Sequence, residues 1–282
     1  MDRLLTIQNQ DLDPARTLRP LPSRNPRIVQ SLVLVPTREL ALQVGQVLRQ
    51  VADSLGLKAV VAHGGVSINP QMMALRGGAD VVVATTGRLL DLVAHNALRL
   101  SDVQHLVLDE ADEMLRMGFI DDVEWVLEQL PSQRQVVLFS ATMPPEIRRI
   151  SHKYLNDPAE VTIKTKGADS SRIRQRFITV NGPQKLEALT RVLESETKEG
   201  VIIFARTKAI TVTVAEALEA KGYDVAVLNG DVAQSQRERT IERLKSGTVD
   251  VLVATDVAAR GLDVDRITLV VNYDIPFDSE AY

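Results

Sequence analysis

The sequence predicts an α/β protein of two similar domains, each built on a mostly parallel sheet, and three observations carry that expectation. Short runs rich in Val, Ile and Leu alternate with amphipathic stretches along all 282 residues. Those runs are continuously apolar rather than alternating, as strands buried on both faces of a parallel sheet are. The chain is also long for one domain and comfortable for two, and its halves repeat one another.

In the first half the runs are Leu32 to Val35, Ala59 to Ala62, Val81 to Ala84, Leu106 to Leu108 and Val136 to Phe139. Between the first two, Leu40, Val44, Val47, Leu48 and Val51 keep helical spacing, which predicts a helix with one face on the sheet. The second half holds Ile178 to Val180, Val201 to Phe204, Val225 to Leu228, Val251 to Ala254 and Leu269 to Val271. Ile210, Val214 and Leu218 share a helix face that Gly222 ends, and Ser235 with Glu238 reads as an S-x-x-E capping box opening a helix that Gly247 stops. The polar stretch 164–171 reads as a linker, so the expected domains are 1–163 and 172–282. Leu32-Val-Leu-Val-Pro-Thr37-Arg38 aligns with Ile202-Ile-Phe-Ala-Arg-Thr207-Lys208, and Val83-Ala-Thr85 with Val253-Ala-Thr255. Thr37 to Thr85 and Thr207 to Thr255 both span 48 residues, the mark of an internal duplication.

Composition excludes several classes. The chain has no cysteine, which removes disulfides, thiolate chemistry and Cys-ligated zinc, and its 4 histidines make no metal-ligand spacing. No apolar run reaches the length of a membrane span and residues 1–30 carry no signal-peptide core, so the cytoplasm is the expected address and no membrane partner is expected. Net charge of -4 argues against a broadly basic nucleic-acid coat but leaves room for a local basic groove.

The chemistry concentrates where strands end. His105-Leu-Val-Leu-Asp-Glu-Ala-Asp112 drives an apolar strand straight into carboxylates. Asp109 and Glu110 there can hold Mg²⁺ on a nucleotide through water and position an attacking water; equally, the acids can sit at the positive end of a helix dipole. Ser140-Ala-Thr142 follows another strand, either as a helix cap before Pro144 and Pro145 or as hydroxyls bonded to those carboxylates. Thr37-Arg38 and Thr85-Thr86-Gly87-Arg88 stand where a strand hands over to a helix, as do Thr207-Lys208 and Thr255-Asp256. Each is a helix cap with a solvated cation, or a phosphate site whose repetition suits a polynucleotide backbone. Gly64-Gly65 and Gly230 allow close backbone approach, or are ordinary turns. Asp256, Arg260 and Asp263 share a loop that could face a ligand or form a salt-bridge cluster.

Taken in order, these motifs resemble the DEAD-box RNA helicases. The residues are Pro36-Thr-Arg-Glu-Leu40, Gly64-Gly65, Thr85-Thr-Gly-Arg88, Asp109-Glu-Ala-Asp112, Ser140-Ala-Thr142, Ile203-Phe204 with Arg206-Thr207, and Ala254-Thr-Asp-Val-Ala-Ala-Arg-Gly-Leu-Asp263. Glu113-Met-Leu-Arg-Met-Gly-Phe119 and Val271-Asn-Tyr-Asp-Ile-Pro276 look most like the bacterial cold-shock members, which act on structured RNA and ribosome precursors. The resemblance implies two tandem RecA-like domains, with ATP and Mg²⁺ as cofactors and RNA as partner. It implies that Asp109 binds Mg²⁺ through water, that Glu110 activates the hydrolytic water, and that Asp112, Ser140 and Thr142 couple hydrolysis to strand separation. Asp263 would approach the ATP ribose. Thr37, Arg38, Gly65, Thr85, Gly87, Arg88, Thr207, Gly230 and Thr255 would line the RNA path.

The chain departs from the family pattern in three ways. Thr86 stands where the family usually has Pro, which is expected to loosen that turn. The 282 residues contain no G-x-x-x-x-G-K-[ST], the cradle for ATP phosphates, and no arginine-rich motif follows Pro276. The first domain is therefore expected to be incomplete at its N-terminus, without a central strand, and the second at its C-terminus. ATP hydrolysis by this segment is expected to be weak or absent. The alternative is a catalytically inactive module that clamps RNA.

Overall fold

Crossover helices join the apolar runs into two parallel ladders. The computed structural model describes residues 4–8, 28–163 and 173–276. The chain divides into two compact units, Met1–Arg174 and Gln175–Tyr282. The expected linker at 164–171 lies outside the described residues, as does the proline- and arginine-rich stretch 9–27.

The first unit runs β1 (Leu4–Gln8), β2 (Ser31–Val35), α1 (Arg38–Ser54), β3 (Ala59–Ala62), α2 (Ile68–Arg76), β4 (Val81–Thr85), α3 (Thr86–Ala94), β5 (His105–Leu108), α4 (Ala111–Arg116), α5 (Ile120–Gln129), β6 (Gln135–Ser140), α6 (Pro145–Tyr154) and β7 (Pro158–Thr162). Its sheet has the order β3-β4-β2-β5-β6-β1-β7. All pairs from β3 to β6 are parallel, whereas β1 is antiparallel to both β6 and β7. Neither β1 nor β7 was among the expected strands. The apolar continuity of the central strands has the predicted cause, since both faces are covered. Leu32, Leu34, Leu106 and Leu108 pack beneath α3, α4, α5 and α6, while Val33, Val35 and Val83 face α1.

Helix α1 buries a narrower stripe than its apolar residues suggested. Ala41, Gly45, Leu48 and Ala52 recur at helical spacing and face the sheet, with Ala41, Gly45 and Ala52 fully buried. Val47 and Val51 fall off that stripe and are exposed, correcting the expectation that they pack on the sheet. The small residues set the approach: a Cβ at Gly45 would lie 2.2 Å from Val61 Cγ2 on β3.

The second unit runs, after a 3₁₀ turn, α7 (Lys185–Ser195), β8 (Gly200–Phe204), α8 (Lys208–Glu219), β9 (Val225–Leu228), α9 (Gln234–Ser246), β10 (Val251–Ala254), α10 (Asp256–Ala259) and β11 (Ile267–Asn272). Its sheet order is β11-β8-β10-β9, all parallel. That is the order of β5-β2-β4-β3 in the first unit, with α8 covering Val201 and Ile203 as α1 covers Val33. The duplication seen in the sequence is thus a duplication of topology.

Two expectations for this unit are corrected. Ile178 to Val180 is not a strand: it joins neither sheet, and Phe177 and Ile178 are exposed. The capping box is not formed either. Helix α9 begins one residue before Ser235, with Ala233 as N-cap, and Glu238 accepts instead from Gln234 Nε2 at 2.9 Å. Its other end is as read, Gly247 closing it at φ 79.

Gly45→Ala is expected to lower the urea midpoint of the first unit, despite the gain of about 1 kcal/mol in helix propensity, because overpacking of this kind costs about 1–3 kcal/mol. In a Val61→Ala background the same change should become neutral or stabilising.

Candidate functional site

Every candidate residue of the first unit between Thr37 and Thr142 lies at or just beyond the C-terminal end of a strand: Thr85 and Ser140 are the last residues of β4 and β6, Gly65 follows β3, and the others sit on the loop or helix start after β2, β4, β5 or β6. Strand β5 ends at Leu108 and its ladder with β2 continues one step further, Asp109 N donating to Leu34 O at 3.0 Å. Glu110, the N-cap of α4, then turns through the left-handed region at φ 55, ψ 52. A non-glycine residue held there stores backbone strain of about 1–3 kcal/mol, the kind found at functional loops. Glu110 N donates to Asp109 Oδ1 at 3.0 Å, and both side chains are half-buried.

Asp112 takes a different path from its neighbours. It is 5% exposed, and its Oδ2 accepts from both Thr142 N at 2.9 Å and Thr142 Oγ1 at 2.8 Å. Its own N–H donates to Ser140 Oγ at 3.1 Å, and that hydroxyl donates to Thr142 O at 2.7 Å. The carboxylate loop and the Ser140-Ala-Thr142 loop are therefore one hydrogen-bonded body. Of the two readings open for Thr142, the structure has the carboxylate partner; the N-cap of α6 is Pro144, with no side-chain cap bond.

The paired threonines recur in matching form. Thr37 caps α1 at φ -122, ψ 157 with its hydroxyl accepting from Leu40 N, and Thr207 caps α8 at φ -127, ψ 155 with its hydroxyl accepting from Ile210 N. Thr85 and Thr255 sit at the N-caps of α3 and α10, at φ -78, ψ 146 and φ -81, ψ 154, neither making a side-chain cap bond. Their hydroxyls are not consumed by capping. The cation after each first threonine lies over the glycine of the next strand's exit: a Cβ at Gly65 would meet Arg38 Nη1 at 2.3 Å, and one at Gly230 would meet Lys208 Cε at 3.2 Å. At Gly65, with φ +79, a side chain is excluded on both counts.

Arg88 does not reach outward as expected of a phosphate ligand. It is 8% exposed, its Nη2 donates to Val66 O at 2.9 Å, and its Nε lies 3.5 Å from Asp91 Oδ2 without hydrogen-bond geometry. Nη1 is buried with no hydrogen-bond partner, while neighbouring Gly87 is exposed. In the second unit Asp256 and Arg260 pair at 3.8 Å, and Asp263 is exposed outside that pair.

Two residues of these edges, Asp231 and Asp274, were not among the candidates of the sequence. Asp231 pairs with Lys208, the cation that the sequence did nominate by its alignment with Arg38. Asp274 stands two residues past β11, a polar residue at a strand exit and so a signal the sequence carried. Burial raises its pKa, but the Lys185 ammonium and the Arg206 N–H outweigh that and leave it below the ordinary carboxylate value.

Two family descriptions match the chain: DEAD/DEAH box helicase over residues 15–150 and helicase conserved C-terminal domain over residues 184–282. The chain belongs to the DEAD-box helicase family. It is 55% identical over 257 residues to the ATP-dependent RNA helicase DeaD of Mycobacterium tuberculosis (strain H37Rv), covering 91% of this chain and 45% of that protein. It is 54% identical to DeaD of Escherichia coli (strain K12), covering 90% and 40%. This helicase chain thus spans less than half the length of those curated relatives. Among solved structures it is similar to Saccharomyces cerevisiae Dbp5 bound to RNA and ADP BeF3, with 30% identity, a TM-score of 0.78, and coverage of 91% of this chain and 66% of that one. The two sheets are the RecA-like pair of the family. Thr86, where the family usually has Pro, is fully buried at the start of α3, its Oγ1 lying 3.9 Å from Met114 Sδ on α4.

Thr142→Val is expected to destabilise the first unit by about 1–3 kcal/mol in urea unfolding, because it deletes one of the two bonds that Thr142 makes to the buried Asp112 carboxylate; Thr142→Ser should keep the bond and most of the stability. A second expectation concerns acid. Because Asp274 has a lowered folded-state pKa, its contribution is present above the ordinary carboxylate pKa and is lost as pH falls through the lowered one. Asp274→Asn should flatten the second unit's stability across that acidic window, read by circular dichroism.

Proposed function

We propose that this chain is the core of an ATP-dependent RNA helicase, which binds RNA phosphates through both units and couples ATP hydrolysis to local unwinding of short duplexes. The observation that carries the proposal is the buried Asp112–Thr142–Ser140 network, which ties the loop bearing Asp109 and Glu110 rigidly to the exit of β6. A change at the carboxylates is then transmitted to the neighbouring strand without a slack side chain between. The DeaD relatives are named ATP-dependent RNA helicases, and the Dbp5 structure is described as bound to RNA and ADP BeF3, which supports the same ligands here. The cytoplasm is the proposed address.

For the nucleotide, the donor set fits a metal carried on phosphates. Asp109 and Glu110 supply hard carboxylate oxygens at one edge, and among the described residues no cluster of three or more His, Asp or Glu side chains forms a self-sufficient metal cage. This matches Mg²⁺ held through water by Asp109, as magnesium commonly is on nucleotides. When bound, the ion neutralises phosphate charge. Glu110, turned by its left-handed backbone, would orient and deprotonate the attacking water. Asp263 would take the ribose.

For RNA, Thr37, Arg38, Gly65, Thr85, Gly87, Thr207, Gly230 and Thr255 would line the backbone path. The unpartnered Nη1 of Arg88 supports an anionic ligand at the Gly87 loop, because a buried guanidinium N–H without an acceptor costs about 1–3 kcal/mol unless something supplies one. The domain division at 163/172 is part of the same proposal.

The absence of a G-x-x-x-x-G-K-[ST] from these 282 residues favours a second reading for the isolated chain, an RNA clamp with little hydrolysis of its own. An RNA-stimulated ATPase assay against Glu110→Gln separates the two: turnover above that variant marks the enzyme, and equal rates mark the clamp. RNA affinity should fall steeply with salt in either case, with a log–log slope near −0.7 per phosphate contact. A salt-independent affinity would remove the phosphate path.

A further inference from the structure

The second unit carries a carboxylate, Asp274, two residues past the end of β11, one step beyond the place that Asp109 holds after β5. Strand β11 neighbours β8 as β5 neighbours β2, and the ladder is extended past the strand end in the same way. Asp109 N donates to Leu34 O, and Tyr273 N and Asp274 N donate to Phe204 O at 2.9 and 3.3 Å. What the carboxylate does next is different. Asp274 is 13% exposed, and both of its oxygens are taken within the unit. Oδ1 accepts from Lys185 Nζ at 2.5 Å, and Oδ2 accepts from the backbone N–H of Arg206 at 3.0 Å.

Arg206 returns the contact, its Nη2 donating to Ile275 O at 3.2 Å. Two bonds, both donated by Arg206, one from its backbone and one from its side chain, thus hold the residue immediately before Thr207, whose hydroxyl caps α8. Lys185 is itself held at the start of α7, with its ammonium 4.5 Å from the Tyr273 ring centroid. The loop joining β8 to α8 is therefore anchored on one side by its own ladder and on the other by Asp274.

We propose that Asp274 is a positioning residue for RNA binding: by holding the Arg206 N–H and receiving the Arg206 side chain on the adjoining carbonyl, it fixes the Arg206–Thr207 turn in the form that meets RNA phosphates. The RNA part rests on the function proposed above; the loop anchoring does not. The plain competitor is an ion pair whose only task is to hold α7 through Lys185.

The test compares Asp274→Ala, Asp274→Asn and Lys185→Met in the whole chain, below the unfolding temperature of each. Amide hydrogen exchange across 204–208 is measured without RNA, and the affinity for a labelled single-stranded oligoribonucleotide is measured in parallel. Asp274→Ala should speed exchange at Arg206 about tenfold and weaken RNA binding about tenfold, the size of one lost charge-assisted hydrogen bond. Lys185→Met, which removes the ion pair but not the Arg206 contact, should leave both within about twofold. Asp274→Asn keeps one acceptor oxygen and should fall between, so the series is readable even if the alanine variant does not fold. Unchanged exchange at Arg206 in the Asp274 variants, or equal damage from Lys185→Met, overturns the inference. Faster exchange with unaltered RNA affinity overturns its RNA half. If the unaltered chain binds no RNA, the proposed function fails, and the exchange measurements still decide the anchoring.

Discussion

Parallel hydrogen bonding between neighbouring strands is the constraint on which each unit depends, because it forbids tight hairpins and obliges every strand to hand over to a helix that crosses back. In the first unit the exits of β2, β3, β4, β5 and β6 all fall on one edge, and in the second the exits of β8, β9, β10 and β11 do the same. An edge of that kind concentrates loops, exposed backbone N–H groups and helix starts, which is why ligands favour it in open α/β sheets. The sequence needs only to place short polar residues after each apolar run. Thr37, Thr85, Asp109, Ser140, Thr207, Thr255 and Asp274 are all such residues.

The two units use one backbone plan for different chemistry. Thr37 and Thr207 have nearly the same dihedral angles and the same cap bond, and the cation after each packs over a glycine from the next exit. The resemblance stops at the strands β5 and β11. In the first unit the left-handed backbone of Glu110 turns two half-buried carboxylates into the exit, whereas in the second Asp274 is spent on Lys185 and the Arg206 backbone. A single duplicated scaffold therefore carries a pair of half-buried acids in one unit and an acid bonded within its own unit in the other.

Burial of Asp112 shows what rigid attachment requires. A carboxylate withdrawn from water is tolerated only when hydrogen bonds replace its hydration, and Thr142 supplies two of them from a loop thirty positions away in the chain. Such a network is either nearly complete or costly, so it acts as a stiff joint between the exits of β5 and β6. Arg88 is the incomplete case, with its Nε and Nη1 buried and without a hydrogen-bond partner beside an exposed glycine.

The sequence by itself determined nine of the strands, the duplication and the strand exits at which its polar candidates stand, because apolar continuity and strand-end polarity are local patterns. It missed β1 and β7, whose antiparallel pairing depends on where distant segments meet, and it placed a strand at Ile178 to Val180 where apolar residues have no ladder to join. It could nominate Thr142, Arg88 and the Ser235–Glu238 pair but could not say what each would touch. Only the tertiary structure decided that Thr142 serves Asp112, that Arg88 turns inward to Val66, that α9 starts a residue early and that Asp274 anchors its neighbour. The physical reason is common to all four. Whether a polar group faces water, a ligand or another side chain is settled by desolvation and hydrogen-bond geometry among residues brought together by packing, and no local pattern records that.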